Sequence, residues 1–190
     1  MKFKNLFLTG NIQIGKSTAL DKLKAQHLTG QKIRGFKTKP FYLSEKTQQD
    51  PRGILQGYWL EDQSLDPASQ CPEKQLVGIN QASPGGKCCR GITETFEGLG
   101  LEVLTKALQE QEGILWMDEL GFFEREALQF QAKVFEALES PMPVIGVIKI
   151  RRNPFLEAIA ARKDVLVLEV NENNRDSIVE EIIKYWEWLR

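Results

Sequence analysis

The sequence predicts an α/β fold: a mostly parallel sheet with helices on both faces and an antiparallel hairpin insertion. Strand-like and helix-like segments alternate along the chain, the pattern that parallel sheets with crossover helices produce. Continuous apolar runs such as Val144 to Ile148 are strand-sized, as strands buried on both faces read. No repeat, low-complexity tract or linker divides the 190 residues, so residues 1–190 read as one domain.

In chain order, Phe3 to Thr9 reads as a strand, followed by a tight loop and a helix over about 16–28, in which Leu20, Leu23 and His27 recur at helical spacing. Ile33 to Thr38 and Ile54 to Leu60 are short and β-prone. The segment between them carries Pro40, Gln48, Gln49, Asp50, Pro51 and Gly53, so the pair reads as a hairpin. Residues 61–91 hold Pro67, Pro72, Pro84, Gly85 and Gly86 and a single strand-like patch, Leu76 to Ile79, and read as loop. From Thr93 to Gln111, Phe96, Leu99, Val103, Leu104, Ala107 and Leu108 keep a helical period, which Gly98 and Gly100 weaken as far as Leu101. Gly113 to Met117 is too short for a helix and reads as a buried parallel strand ending in Asp118 and Glu119. A helix over 124–139, a strand over 144–149, a helix over 154–162 and a strand over 165–170 follow. The last helix opens on Ser177-Ile-Val-Glu180, a capping-box pattern, and stripes Ile178, Ile182, Ile183, Trp186 and Leu189 along one face.

Composition narrows the function. With 25 Lys plus Arg against 26 Asp plus Glu, the net charge is −1, so there is no cationic surplus for a phosphate backbone and no nucleic-acid partner is expected. No apolar run approaches the roughly 18 residues of a bilayer span, and Leu6 to Leu8 is too short for a signal peptide, so a cytoplasmic chain with no membrane association is expected. Cys71, Cys88 and Cys89 form no CxxC pair and His27 is the one histidine, a set that suggests neither a disulfide framework nor a zinc cluster.

The chemistry concentrates in one loop. Gly10-Asn11-Ile12-Gln13-Ile14-Gly15-Lys16-Ser17 fits G-x4-G-K-[ST], follows an apolar strand and opens a helix. In that setting loop N–H groups and a helix N-terminus converge on a polyphosphate, which makes Gly10 through Thr18 the candidate nucleotide-binding segment. Lys16 would bridge the β- and γ-phosphates, and Ser17 would ligate Mg²⁺. The bland reading is a glycine turn before an ordinary helix. Asp118 and Glu119 lie at the carboxyl end of a buried strand, where α/β sheets place ligands. Asp118 would hold Mg²⁺ and Glu119 would accept a proton from water, unless both merely favour the start of the next helix. Lys149, Arg151 and Arg152 follow another strand at the same edge, where a cation offsets charge developing on the γ-phosphate; solvated basic residues would look the same. Asn171, Asn173, Asn174 and Arg175 could reach a base or ribose, although helix capping is the commoner use of asparagines there.

These residues resemble a known family, the small P-loop nucleoside-triphosphatases that include the cancer-related nucleoside-triphosphatase and its bacterial and archaeal relatives. The likeness covers nearly the whole chain. It rests on the loop at 10–17, Gly35-Phe-Lys-Thr38, Asp118-Glu-Leu-Gly-Phe-Phe-Glu124, Arg151-Arg152 with Pro154-Phe155, and Asn174-Arg175-Asp176, in family order. It implies a P-loop NTPase fold and slow, Mg²⁺-dependent hydrolysis of ATP, GTP and other nucleoside triphosphates, with little base discrimination. Gly10, Gly15, Lys16 and Ser17 map onto phosphate and metal binding, and Asp118 and Glu119 onto metal and water. The chain departs from the family in having Ile12 and Gln13 where Pro and Gly are common, Phe122 for the usual Pro, and Lys149-Ile150 before Arg151-Arg152. Two other functions use the same loop. A small-molecule kinase would fold residues 61–91 over an acceptor, and a nucleotide-switched interaction protein would use hydrolysis to time a partner's release.

Overall fold

The computed structural model describes residues 3–42, 55–83, 86–149 and 153–187. β1 (Asn5–Gly10) leads through the glycine loop into α1 (Lys16–His27), then β2 (Ile33–Tyr42) and β3 (Leu55–Asp62). Short 3₁₀ turns at Pro67–Ser69 and Pro72–Lys74 precede β4 (Leu76–Ser83) and β5 (Gly86–Gly91). The helical turn α2 (Thr93–Thr95) runs through a π-turn at Phe96–Gly100 into α3 (Leu101–Glu110). β6 (Ile114–Leu120), α4 (Leu128–Glu139), β7 (Val144–Ile148), α5 (Pro154–Ala160), β8 (Val165–Val170) and α6 (Ile178–Tyr185) complete the order.

The strands form one sheet in the order β5-β4-β3-β2-β6-β7-β1-β8. β2, β6, β7, β1 and β8 are parallel, whereas β3, β4 and β5 continue from β2 antiparallel. The mostly parallel α/β fold is therefore present, with an antiparallel part larger than a hairpin. Residues 76–83 and 86–91, expected as loop apart from Leu76 to Ile79, form two strands. The edge strand β5, Gly-Lys-Cys-Cys-Arg-Gly, is held by backbone pairing and has no apolar alternation to betray it. Pro40 lies inside β2, beyond the last pairing with β6 at Lys37, where among the described residues the strand pairs with β3 alone and a missing N–H is tolerated.

β6 shows why the sheet needs two layers of helices. Leu115 and Met117 join the core on one face with Phe36, Phe130 and Val134, covered by α3, α4 and α5, while Ile114 and Trp116 join Leu20, Leu23, Ile178 and Ile182 of α1 and α6 on the other. All four β6 residues are fully buried, at about 1.5–3 kcal/mol of transfer free energy for each large side chain.

Several local expectations change. His27 is exposed, and Leu28 closes the buried stripe of α1 instead. The segment 121–127 is a series of turns, so α4 starts at Leu128. Ser177 makes no side-chain cap because its φ of −107° and ψ of 0° are not the extended geometry a capping box needs. Trp186 lies past the end of α6, fully buried, with its indole N–H donating to the Lys4 carbonyl at 2.8 Å. Leu189 falls outside the described residues. No helix among the described residues is long and apolar enough to cross a membrane.

Candidate functional site

β1 ends at Gly10, whose φ of 130° lets the backbone press against the end of β8; a Cβ there would sit 2.3 Å from the Val170 carbonyl oxygen. Gly15, at φ 108°, occupies the N-cap position of α1 without a side chain, which leaves the first-turn N–H groups of the helix uncapped. Between the glycines, Gln13 adopts φ 62°, a left-handed conformation that costs a non-glycine residue about 1–2 kcal/mol. Asn11, Ile12, Gln13 and Thr18 are exposed, and Ile14 packs against the α1 side of the core.

Lys16 is folded into its own loop. Its ammonium donates to the carbonyls of Gly10 (2.9 Å) and Asn11 (2.7 Å). Burial lowers its pKa, and the carboxylates of Glu119 and Asp118 oppose that shift. Ser17 Oγ donates to Asp118 Oδ1 at 3.1 Å, which joins the start of α1 to the end of β6. The other Asp118 oxygen, Oδ2, is buried without a hydrogen-bond partner. Burial raises the Asp118 pKa to about 6, against the Lys37 ammonium and the Ser17 hydroxyl, so the carboxylate is mostly ionised at neutral pH.

Such an orphaned oxygen on a buried carboxylate, beside a hydroxyl oxygen, is a hard donor set that suits Mg²⁺. That ion takes one or two protein oxygens and completes its octahedron with water and phosphate. Among the described residues no group of three His, Cys, Asp or Glu side chains forms a cage for another metal.

Glu119 and Lys149 meet across the same cleft as an ion pair, Glu119 Oε1 to Lys149 Nζ. The cleft, about 520 Å³, is lined by Gln13, Lys16, Ser17, Thr18, Asp118, Glu119 and Lys149, together with Ile12, Gly15 and the wall Thr38, Pro40, Tyr42, Leu55 and Tyr58. The wall was missed by the sequence reading. A period-two signal existed in Thr38, Pro40 and Tyr42, but placing it needs the antiparallel register, in which Tyr58 lies opposite Pro40 and Leu55 opposite Tyr42.

The predicted site residues Lys16, Ser17, Asp118 and Glu119 thus converge. Arg151 and Arg152 lie outside the described residues. Asn171 and Asn174 are engaged in their own turn: Asn171 Oδ1 accepts from the N–H of Asn173 (2.9 Å) and Asn174 (3.2 Å), and Asn174 Oδ1 accepts from the N–H of Asn171 (2.8 Å).

Glu124 supports the segment that follows. It is 1% exposed, its Oε1 accepts from the Gly121 N–H, and the Gly121 carbonyl accepts from Asn153 Nδ2 at 3.2 Å. Burial raises its pKa to about 7, so between pH ~4.5 and ~7 the folded chain holds a proton that the unfolded chain releases. Its contribution to stability is complete below the lower value and is lost as pH rises through the upper one. Glu124→Gln removes that titration. Its stability relative to the unaltered chain should rise from pH 5 to pH 8 by on the order of 2 kcal/mol, read by urea unfolding at the two pH values. A difference that does not vary with pH would show that Glu124 does not titrate in this window.

A family model described as NTPase matches residues 73–183. "Nucleoside-triphosphatase THEP1" of Thermotoga sp. (strain RQ2) is 35% identical over 188 residues, which cover 97% of both chains. "Cancer-related nucleoside-triphosphatase homolog" of Mus musculus is 27% identical over 188 residues, 95% of each chain. Among solved structures, the crystal structure of THEP1 from the hyperthermophile Aquifex aeolicus superposes with a TM-score of 0.68 at 21% identity, covering 96% of this chain and 99% of that one, a likeness of fold.

Proposed function

This chain belongs to the NTPase family, and from that premise we propose that it hydrolyses nucleoside 5′-triphosphates to diphosphate and phosphate with Mg²⁺, using Glu119 as the base. The observation that carries the reading is the Ser17–Asp118 hydrogen bond. It joins a glycine loop and helix N-terminus to a buried strand-end carboxylate whose second oxygen is unpartnered, at a cleft that also presents Lys16 and Glu119.

Each residue has a task that its position allows. The uncapped first-turn N–H groups of α1 and the loop amides bind phosphate oxygens. Lys16 exchanges its two carbonyl acceptors for β- and γ-phosphate oxygens, which as anions make shorter and stronger bonds. Ser17 and Asp118 would hold the Mg²⁺, which when bound neutralises charge on the β- and γ-phosphates. Glu119, with Oε1 engaged by Lys149, has Oε2 left to accept a proton from water. The water oxygen forms its bond to the γ-phosphorus while the bond from that phosphorus to the β,γ-bridging oxygen breaks. The electron pair leaves on the nucleoside diphosphate, and the proton resides on Glu119.

Base discrimination should be weak, because strong selection needs buried groups that the wrong base leaves unpaired. Asn171 and Asn174 already satisfy one another's turn. Phosphate release measured on a panel of nucleoside triphosphates, with and without Mg²⁺, should show ATP and GTP within about one order of magnitude and activity only with metal. No release from any triphosphate with Mg²⁺ present would overturn the hydrolase reading. A preference of several thousand-fold would overturn weak selectivity alone.

A further inference from the structure

Lys37 is a cation beside the site that the mechanism above does not use. On β2 it stands in parallel register with Asp118 of β6, so the two side chains leave adjacent strands on the same face. Its ammonium donates to both oxygens of Asp21, at 2.7 and 2.9 Å, and stands 3.9 Å from Asp118 Oδ2, beyond hydrogen-bond reach. The oxygen it approaches without bonding is the one that has no partner. Asp21 lies on α1, one turn after Ser17, and Ser17 donates to the other oxygen of the same carboxylate. A single helix therefore acts on both Asp118 oxygens: Ser17 directs Oδ1, and Asp21 draws the nearest ammonium away from Oδ2.

We infer that Asp21 and Lys37 are a positioning pair for the metal carboxylate, in which Asp21 holds Lys37 close enough to offset the charge of Asp118 and too far to occupy Oδ2. Without Asp21, attraction to a buried carboxylate brings the ammonium into direct contact, and the metal must then displace it. This rests on the reading of Asp118 as a metal ligand.

The experiment is direct binding of Mn²⁺, as a paramagnetic substitute for Mg²⁺, to the purified chain with ADP at constant ionic strength, read by electron paramagnetic resonance without turnover. Asp21 is exposed on its helix, and Asp21→Ala suits helical geometry. This variant should bind Mn²⁺ about tenfold more weakly, the scale of a charged hydrogen bond that the metal must displace. In a Lys37→Met or Lys37→Gln background the same change at Asp21 should cost nothing, because the competing ammonium is gone; a purely structural or long-range role for Asp21 would cost the same in every background. Unchanged affinity in Asp21→Ala, or an equal loss in the Lys37 backgrounds, overturns the positioning pair. Asp118→Asn separates the two readings: if it binds Mn²⁺ as the unaltered chain does, the metal assignment itself fails. If it binds weakly while Asp21→Ala does not, only the pair fails.

Discussion

Glu119→Gln is expected to lower phosphate release by roughly 10²- to 10⁴-fold while nucleotide and Mg²⁺ still bind. The substitution keeps the side chain's size and an oxygen for Lys149, and removes the oxygen able to hold a proton from water. Asp118→Asn should behave differently and raise the Mg²⁺ concentration needed, because it replaces one of the carboxylate oxygens proposed to hold the metal beside Ser17. Single-turnover rates together with nucleotide binding distinguish the two variants. Wild-type turnover in Glu119→Gln would move the task of positioning water to Gln13, which lines the same cleft. Glu124 is a poor substitute, being fully enclosed and committed to the Gly121 N–H.

Lys16→Ala should weaken nucleotide binding by roughly 10²- to 10⁴-fold, the loss of two charge-assisted contacts at about 1.5–3 kcal/mol each. Among the described residues the two nearby ammonium groups are otherwise engaged: Lys149 is paired with Glu119, and Lys37 is drawn toward Asp21. The fold should survive, since among the described residues the ammonium donates to two carbonyls of its own loop. Titration calorimetry at matched ionic strength, with circular dichroism as a control, reads the effect. Wild-type affinity in a folded variant would put the nucleotide elsewhere.

What was legible in the sequence was what depends on neighbours along the chain. The glycine loop between an apolar strand and a helix is local punctuation. Asp118 and Glu119 stand out because they end an apolar run of strand length. Helices α3, α4 and α6 declare themselves by period, although the glycines at 98 and 100 give a π-turn and not a break. The first half of β4, Leu76 to Ile79, was legible, whereas β5 was hard to see because backbone pairing alone forms a strand of glycines, cysteines, lysine and arginine. The aromatic wall and the Asp21–Lys37–Asp118 chain were hidden for a different reason: each depends on strand register, which brings together residues far apart in sequence.

β1, which leads into the glycine loop, is the first of the described strands, yet it lies between β7 and β8, the last two. During synthesis the glycine loop therefore leaves the ribosome long before either neighbour exists, and Gly10 has no Val170 carbonyl to lie against until β8 is made. A nascent chain cut short before Val165 carries the whole loop motif without the strand that Gly10 lies against. Long-range pairing of this kind slows folding, since the entropy of closing the chain is lost before the contacts form. It also means that Gly10 reaches the setting seen here only after β8 has been made, so the candidate site is a late product of synthesis.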